Sequence, residues 1–345
     1  MKRRKDSENK LKRIFHGKDI LVTGGCGSIG TEIVKQLLKY KPKRVRIFDN
    51  NESAHFHMRQ DILSKLTRHL VGDIRDRNRV ERAMKGADIV FHAAALKHVP
   101  LCEYNPFEAV NTNVIGTQNL VDVARKENVE KFLSISTDKA VNPINTMGAT
   151  KLLSEKLTTT AGYGDYKTKF SCVRFGNVLN SNGSVIPIFK KQIKEGGPVT
   201  ITSEKMTRFF MSMSEAVGLV LKAISIMEGD EIFILKMKSL RIIDLAKVMI
   251  EELAPKFGYK PQNIKTKKIG VRPGEKISEC LITKEEAEHI DELDDMFVFR
   301  QSIITPQYIS EYRSKRAYEE YDSNNIRQLT KEEIRKLLYY YKIIS

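Results

Sequence analysis

The chain has 345 residues, an ordinary share of apolar residues and a formal net charge of +16. That length allows one large α/β domain with an appended lobe, or two domains. No uncharged apolar run reaches the roughly 18 residues of a membrane span, so no integral membrane segment is expected. The four cysteines, Cys26, Cys102, Cys172 and Cys280, lie far apart with no C-x-x-C pair. They argue against a metal site or a disulfide framework and point to the cytoplasm.

The first 18 residues hold eight Lys or Arg against two acids. Residues 1–17 are expected to form a basic, solvated and partly unstructured lead-in. No secretory leader is visible, because no apolar stretch with a cleavage site follows the charged start. No zinc-finger, RNP-type or helix-turn-helix signature occurs, so nucleic acid is not an expected partner. Anionic small-molecule substrates suit the positive excess equally well.

Asp19 to Thr23 is a short run rich in branched residues and predicts a buried strand. Gly24-Gly25-Cys26-Gly27-Ser28-Ile29-Gly30 follows, then a helical pattern with Ile33, Val34, Leu37 and Leu38. In this strand–loop–helix unit, Gly24 and Gly27 allow a tight turn against a pyrophosphate. Gly30 lets the helix pack near the strand, and Ser28 and Ile29 open a helix whose N-terminus faces the phosphates. A glycine triplet alone is weak. The next strand, Arg44 to Asp49, strengthens it: Asp49 lies 19 residues beyond Gly30 and can hold the adenosine ribose hydroxyls, with Asn50 beside it. A carboxylate there repels a 2′-phosphate, which favours NAD over NADP.

A helix around 55–68 and a third strand lead to Asp73 and Ile74, placed to meet the adenine edge. A fourth strand, Ala87 to Phe91, runs into His92-Ala93-Ala94-Ala95, where small residues let a cofactor lie against the strand end. A long helix is expected from about Pro106 to Lys126, a fifth strand at Lys131 to Ser136, a helix from Met147 through Lys156 and a sixth strand from Phe170. The alternation predicts an α/β protein with a Rossmann doubly wound parallel sheet and ligand at the C-terminal strand ends. Beyond about Ser184 the pattern is less regular. It predicts a short strand at Pro198–Ile201, helices at 214–227 and 243–253, a strand at 231–236, a polar loop at 271–276, and a last helix opened by Thr330 as N-cap with Glu333 at N3. The expected organisation is residues 18–180 for the dinucleotide and 181–345 mainly for a smaller α/β substrate-binding lobe, with some segments returning to the first domain.

Thr137, Asp138 and Lys139 follow the fifth strand and offer a hydroxyl, a carboxylate and an amine at the ligand edge. A capped turn with a surface ion pair is the competing reading. Met147 and Lys151 keep the i, i+4 spacing of the Tyr-x-x-x-Lys pair of short-chain dehydrogenases, with methionine replacing the phenol. In that pattern the lysine binds the nicotinamide ribose.

Eight segments together resemble the UDP-N-acetylglucosamine 4,6-dehydratases of the extended short-chain dehydrogenase/reductase superfamily, which act in polysaccharide and glycan biosynthesis. They are Thr23-Gly-Gly-x-Gly-Ser-Ile-Gly30, Ala95-Leu-Lys-His-Val-Pro100, Asn111-Thr-Asn-Val-x-Gly-Thr117, Ser136-Thr-Asp-Lys-Ala140, Asn142-Pro-x-Asn-x-Met-Gly-Ala-Thr-Lys151, Arg174-Phe-Gly-Asn-Val178, Met206-Thr-Arg-Phe209 and Arg272-Pro-Gly-Glu-Lys276. The resemblance runs from about residue 17 to the end.

It implies a bound NAD, UDP-N-acetylglucosamine as substrate and a UDP 4-keto-6-deoxy-HexNAc as product. Asp138 would protonate the C6 oxygen, Lys139 take the C5 proton, Thr137 hold the C4 oxygen and Lys151 hold the nicotinamide ribose. As a base Lys139 must be neutral, which burial beside other cations would favour. Asn177 and Arg272 are expected at the diphosphate, Glu275 at the uridine ribose, and Arg208 and Lys97 at the sugar or diphosphate. Relatives that invert C5 usually carry tyrosine at the Met147 position and those that retain it often carry methionine, so retention is expected here. Relatives are often homo-oligomers, and the same is expected of this chain. Other readings remain: an inverting dehydratase, a 5,6-ene-forming variant, a UDP-sugar 4-epimerase, or an NAD-sensing Rossmann protein without an enzymatic role.

Overall fold

The computed structural model describes residues 2–163, 167–179, 184–300 and 320–344. Its centre is a nine-stranded sheet. In chain order the strands are β1 (Asp19–Thr23), β2 (Arg44–Asp49), β3 (Thr67–Val71), β4 (Ile89–His92), β5 (Lys131–Ile135), β6 (Lys169–Arg174), β7 (Glu231–Leu235), β8 (Ile290–Glu292) and β9 (Met296–Arg300). Their spatial order is β8-β9-β7-β6-β5-β4-β1-β2-β3. All pairings from β3 through to β7 are parallel, and β9 and β8 close one edge antiparallel. The order reverses between β1 and β4, which is the switch point where ligands of doubly wound sheets bind.

The inner strands read as continuous apolar runs because helices cover both sheet faces. Every residue of β1 and β4 is buried. Two hydrophobic clusters lie on the sheet. One holds Ile33, Val34, Leu37 and Val220, and the other holds Val80, Leu120, Val121 and Phe132. A third cluster, centred on Phe189, Phe210, Leu245 and Met249, belongs to the later part of the chain and includes Ile334 and Leu338 of the last helix. That helix, Lys331–Tyr340, starts in a complete capping box between Thr330 and Glu333, as its sequence predicts. The expected lobe boundary at 180/181 lies outside the described residues.

Several elements depart from the sequence expectation. Residues Lys2–Phe15 form a helix rather than a loose lead-in. Leu11 and Phe15 are buried, and the Phe15 ring lies 5.6 Å from that of Tyr40 and 6.2 Å from that of Phe91. An apolar stripe spaced i, i+4 docks it to the body although most of its residues are polar. The helix expected at 55–68 covers Glu52–Asp61, and the rest of that stretch turns into β3. The long helix near 106–126 is interrupted at Val110–Ile115, where it widens to π geometry.

Candidate active site

A cavity of about 870 Å³ runs along the C-terminal ends of the parallel strands, from the glycine loop to the 275 region. At one end, Gly24 has φ +62, and a Cβ there would fall 2.6 Å from the Ala94 nitrogen. A Cβ on Gly30 would fall 2.2 Å from the Gly24 carbonyl oxygen. Both positions require glycine, one for backbone approach and one for helix–strand packing. Helix Ser28–Leu38 begins at Gly27 with no side-chain cap, and its first turn lines the cavity with the positive end of the helix, which suits an anion.

Asp49 stands at the end of β2. Its Oδ2 accepts the Cys26 N–H at 3.1 Å and its Oδ1 accepts the Asn51 N–H at 3.1 Å, so the carboxylate is aimed by the glycine loop itself. Asn50 donates to Asp73 Oδ2 at 3.3 Å, and Arg75 pairs with the same carboxylate at 2.7 Å. The hydrogen bond from Arg75 holds the Asp73 carboxyl below its ordinary range. Ser28, Ile29, Ile74, Ala93 and Ala94 line the same end of the cavity. This cradle fits an adenine dinucleotide.

A buried polar chain backs the middle of the cavity. His92 Nδ1 lies 2.8 Å from Thr23 Oγ1, and its Nε2 lies 3.0 Å from Thr117 Oγ1. Thr117 donates its own hydroxyl proton to the Asn113 carbonyl at 2.6 Å. It therefore accepts from His92, which carries its proton on Nε2 and takes the Thr23 hydroxyl at Nδ1. Burial and the nearby Lys151 charge hold the His92 pKa at about 3. Asn113, presented by the π segment, donates to the Leu96 carbonyl and to Thr150 Oγ1, both at 3.0 Å, and so ties the loop after β4 to helix Thr146–Thr159.

That helix presents Met147 and Lys151 to the cavity. Lys151 is 6% exposed and donates to the Ile135 carbonyl at 2.7 Å. Burial lowers its pKa. Met147 packs with Cys102 and Ala109. Asn145 caps the helix by accepting from Gly148 N–H at 2.7 Å, and it also donates to the Gly274 carbonyl at 2.8 Å. One side chain thus joins this helix to the loop that carries Arg272 and Glu275.

Thr137 and Lys139 line the cavity, while Asp138 is fully buried behind them. Asp138 Oδ1 accepts from Thr137 Oγ1 at 2.9 Å and from Lys139 Nζ at 2.8 Å. Its Oδ2 has no hydrogen-bond partner among the described residues. In this arrangement Asp138 reaches the cavity only through its two neighbours. Gly176 makes room for it, since a Cβ there would lie 2.9 Å from Oδ2.

The surroundings of Lys139 are chiefly acidic rather than the cationic ones that would favour a neutral amine, with Arg208 the opposing charge. Burial acts to lower its pKa, but the Asp138 and Glu279 carboxylates outweigh burial and the net shift is upward. Sequence patterning does not single out Glu279. It is 2% exposed, its Oε1 stands 3.6 Å from Lys139 Nζ and 3.8 Å from Arg208 Nε, and its Oε2 has no hydrogen-bond partner among the described residues. The one available signal is a lone acid between apolar neighbours, in Ile277-Ser-Glu279-Cys-Leu-Ile282.

The expected substrate residues separate. Lys97, Asn177, Arg208 and Glu275 line the cavity. Arg208 spends its guanidinium on the carbonyls of Thr207, Lys276 and Ile277 at 2.7–3.0 Å, so it straps the 276–277 segment as well as facing the cavity. Arg272 is exposed on its loop and does not line the cavity.

The family model of polysaccharide biosynthesis proteins matches residues 20–301. A protein of Methanocaldococcus jannaschii named as an uncharacterized membrane protein is 57% identical over 95% of this chain and 97% of its own length. No helix among the described residues of the present chain is long and apolar enough to cross a membrane. A UDP-N-acetylglucosamine 4,6-dehydratase (inverting) of Campylobacter jejuni is 42% identical over 84% of this chain and 85% of its own. Among solved structures, Pen from Bacillus thuringiensis superposes with a TM-score of 0.89 at 43% identity, covering 94% of this chain and 98% of that one. With its glycine-loop cradle, its parallel sheet and this similarity along most of its length, the chain belongs to the polysaccharide biosynthesis protein family and has the extended short-chain dehydrogenase/reductase fold.

Proposed function

We propose that this chain is a nucleotide-sugar 4,6-dehydratase that converts UDP-N-acetylglucosamine to a UDP 4-keto-6-deoxy-HexNAc with retention at C5, for glycan biosynthesis. The observation that carries the reading is the Thr137–Asp138–Lys139 cluster, set on one cavity between the glycine-loop cradle and Asn177 and Glu275. The 42% identity to a protein named for this reaction supports it.

A nicotinamide cofactor, NAD by the charge of Asp49, supplies the hydride acceptor for sugar C4 and the donor for C6. Lys151, buried and anchored to the Ile135 carbonyl, is suited to hold its ribose. Met147 has a thioether that cannot titrate, so the C4 hydroxyl proton passes to the Thr137 hydroxyl, which hands its own to Asp138. Oxidation at C4 acidifies the C5 proton, which Lys139 takes once neutral. Asp138 returns its proton through Thr137 to the C6 oxygen, which leaves as water. Lys139 then protonates C5 from the face it deprotonated, which gives retention. Asn177 and Glu275, which line the cavity, are suited to the diphosphate and the uridine ribose, and Arg272 would reach the diphosphate only with its loop folded inward over the cavity.

Leu101, Tyr104, Phe107, Ile115 and Leu153 are exposed on adjoining helices and support a homo-oligomer through that face. Cysteines that are all free support a cytoplasmic location.

The test is incubation of purified protein with UDP-N-acetylglucosamine in deuterated water, followed by mass and NMR analysis. Loss of one water with C5 configuration kept is expected. A product that retains its C6 hydroxyl points to a 4-epimerase, and bound but unchanged substrate sinks the enzymatic reading.

A further inference from the structure

Lys139 is held as a cation where the reaction proposed above needs an amine. Asp138 cannot relieve it, because Asp138 takes the C4 proton and passes it to C6. Among the described residues the other acid within reach is Glu279. It comes from a segment about 140 residues later in the chain, fixed by the Glu279 N–H donating to Ser323 Oγ at 2.9 Å and by the Ser323 N–H donating to the Glu279 carbonyl at 2.8 Å. Its carboxyl faces Lys139 and Asp138 from the turn Asp138–Ala140, Arg208 from strand Thr207–Met211, and Lys276 from the loop below.

We propose that Glu279 is the positioning residue that turns Lys139 into a base, by taking one ammonium proton across the 3.6 Å gap and holding it while the amine works on the sugar. The role rests on the dehydratase reading. A small closure brings Nζ and Oε1 to hydrogen-bond distance. One N–H bond of Lys139 breaks with its electron pair left on Nζ, and an O–H bond forms on Glu279. The amine then takes the C5 proton, and the C–H electron pair moves into the sugar as the C6–O bond breaks. After hydride reaches C6, Lys139 returns its proton to C5 and Glu279 gives back the proton it stored. No charge crosses the protein boundary in this cycle.

Two observations make Glu279 suited to store a proton. It is buried, and its Oε2 has no donor among the described residues to stabilise the anion. Burial accordingly pushes its carboxyl above the usual range, against the opposing pull of Lys139. Arg208 at 3.8 Å limits that rise, which keeps the carboxyl able to exchange with the amine.

The experiment compares wild type with Glu279→Gln and Glu279→Asp in three measurements. Single-turnover absorbance follows nicotinamide reduction by UDP-N-acetylglucosamine, isotope exchange follows the C5 proton across pH, and infrared difference spectra of the substrate complex look for a protonated buried carboxyl. The glutamine variant should reduce nicotinamide at close to the wild-type rate, because that step uses Thr137 and Asp138. Its C5 exchange should fall by about 10²- to 10⁴-fold, the usual range for a lost proton-transfer group. The acid limb of its exchange profile should move to higher pH, because Lys139 must then lose its proton to solvent instead of to Glu279, a change that outweighs the lost pull of the Glu279 charge on that proton. The protonated-carboxyl band should vanish. The aspartate variant, with its carboxyl drawn back, should fall between the two, and it carries the test if the glutamine variant does not fold. C5 exchange unchanged in both variants, both steps falling together as for a purely structural residue, or no Glu279-dependent band overturns the role. No nicotinamide reduction by wild type removes the dehydratase reading, and the Glu279 role with it.

Discussion

Thr137 donates its hydroxyl to Asp138 Oδ1 at 2.9 Å, and that oxygen also receives Lys139 Nζ at 2.8 Å. Asp138 is fully buried, so any proton it exchanges with a sugar passes through Thr137 or Lys139, and in the reaction proposed above through Thr137. Asp138→Asn should therefore abolish turnover, by at least about 10²-fold, while UDP-N-acetylglucosamine binding by calorimetry stays close to wild type. Thr137→Val, which keeps the shape and removes the relay, should lose nearly as much. An active Asp138→Asn enzyme would refute the assignment.

Met147 is 4% exposed and packs with Cys102 and Ala109 beside the cavity. In the reaction proposed above its part is to fill space without titrating. Met147→Leu conserves volume and should keep kcat within about tenfold, whereas Met147→Ala should cost about 2–5 kcal/mol of stability yet leave appreciable activity in the folded fraction. Urea denaturation alongside initial rates separates the two effects. A collapse of kcat in a fully folded leucine variant would show that the thioether itself takes part.

What could be read in the chain follows from how local each feature is. The glycine loop and Asp49 were legible because strand, turn and helix are contiguous and each glycine answers a steric demand within a few residues. Thr137 to Lys151 was legible for the same reason. Glu279 was not, since only the fold brings it within 3.6 Å of Lys139. The burial of Asp138 behind Thr137 and the salt-bridged state of Lys139 were equally out of reach, because they depend on Gly176 and Glu279 from distant segments. The basic start of the chain misled through its charge count: two apolar residues, Leu11 and Phe15, decide that it docks.

Asp49 is oriented by the Cys26 and Asn51 amides, so its charge is fixed beside the glycine loop. Asp49→Asn keeps an acceptor for one of those amides, sets its NH2 against the other, and removes the charge that, on the reading proposed above, would repel a 2′-phosphate. The ratio of NADP to NAD affinity should rise by at least about tenfold, or about 1.4 kcal/mol. Titration of the purified variant with each nucleotide measures this, and an unchanged ratio removes Asp49 from cofactor selection.

His92 makes the protein's stability depend on pH in a window the carboxylates only partly share. In the fold its Nε2–H is given to Thr117 and its Nδ1 accepts from Thr23, so a second proton would have to turn the Thr23 hydroxyl round and place a charge in a buried site beside Lys151. The folded pKa is about 3 against 6.5 for a free histidine. Between those values the unfolded chain binds a proton that the folded chain refuses, so the contribution is complete above pH 6.5 and is lost as pH falls toward 3. The slope from this one group approaches about 1.4 kcal/mol per pH unit, the free energy of a tenfold change in proton activity. His92→Gln should be the less stable protein at pH 7.5, having lost part of the Thr23–Thr117 bridge. Its deficit against wild type should shrink by about 1 kcal/mol for each pH unit from pH 6 downward, as wild type alone loses the histidine contribution. Urea midpoints for both proteins at pH 7.5, 6 and 5 measure the gap, and a gap that does not change with pH would show that the fold leaves the His92 pKa at its free value.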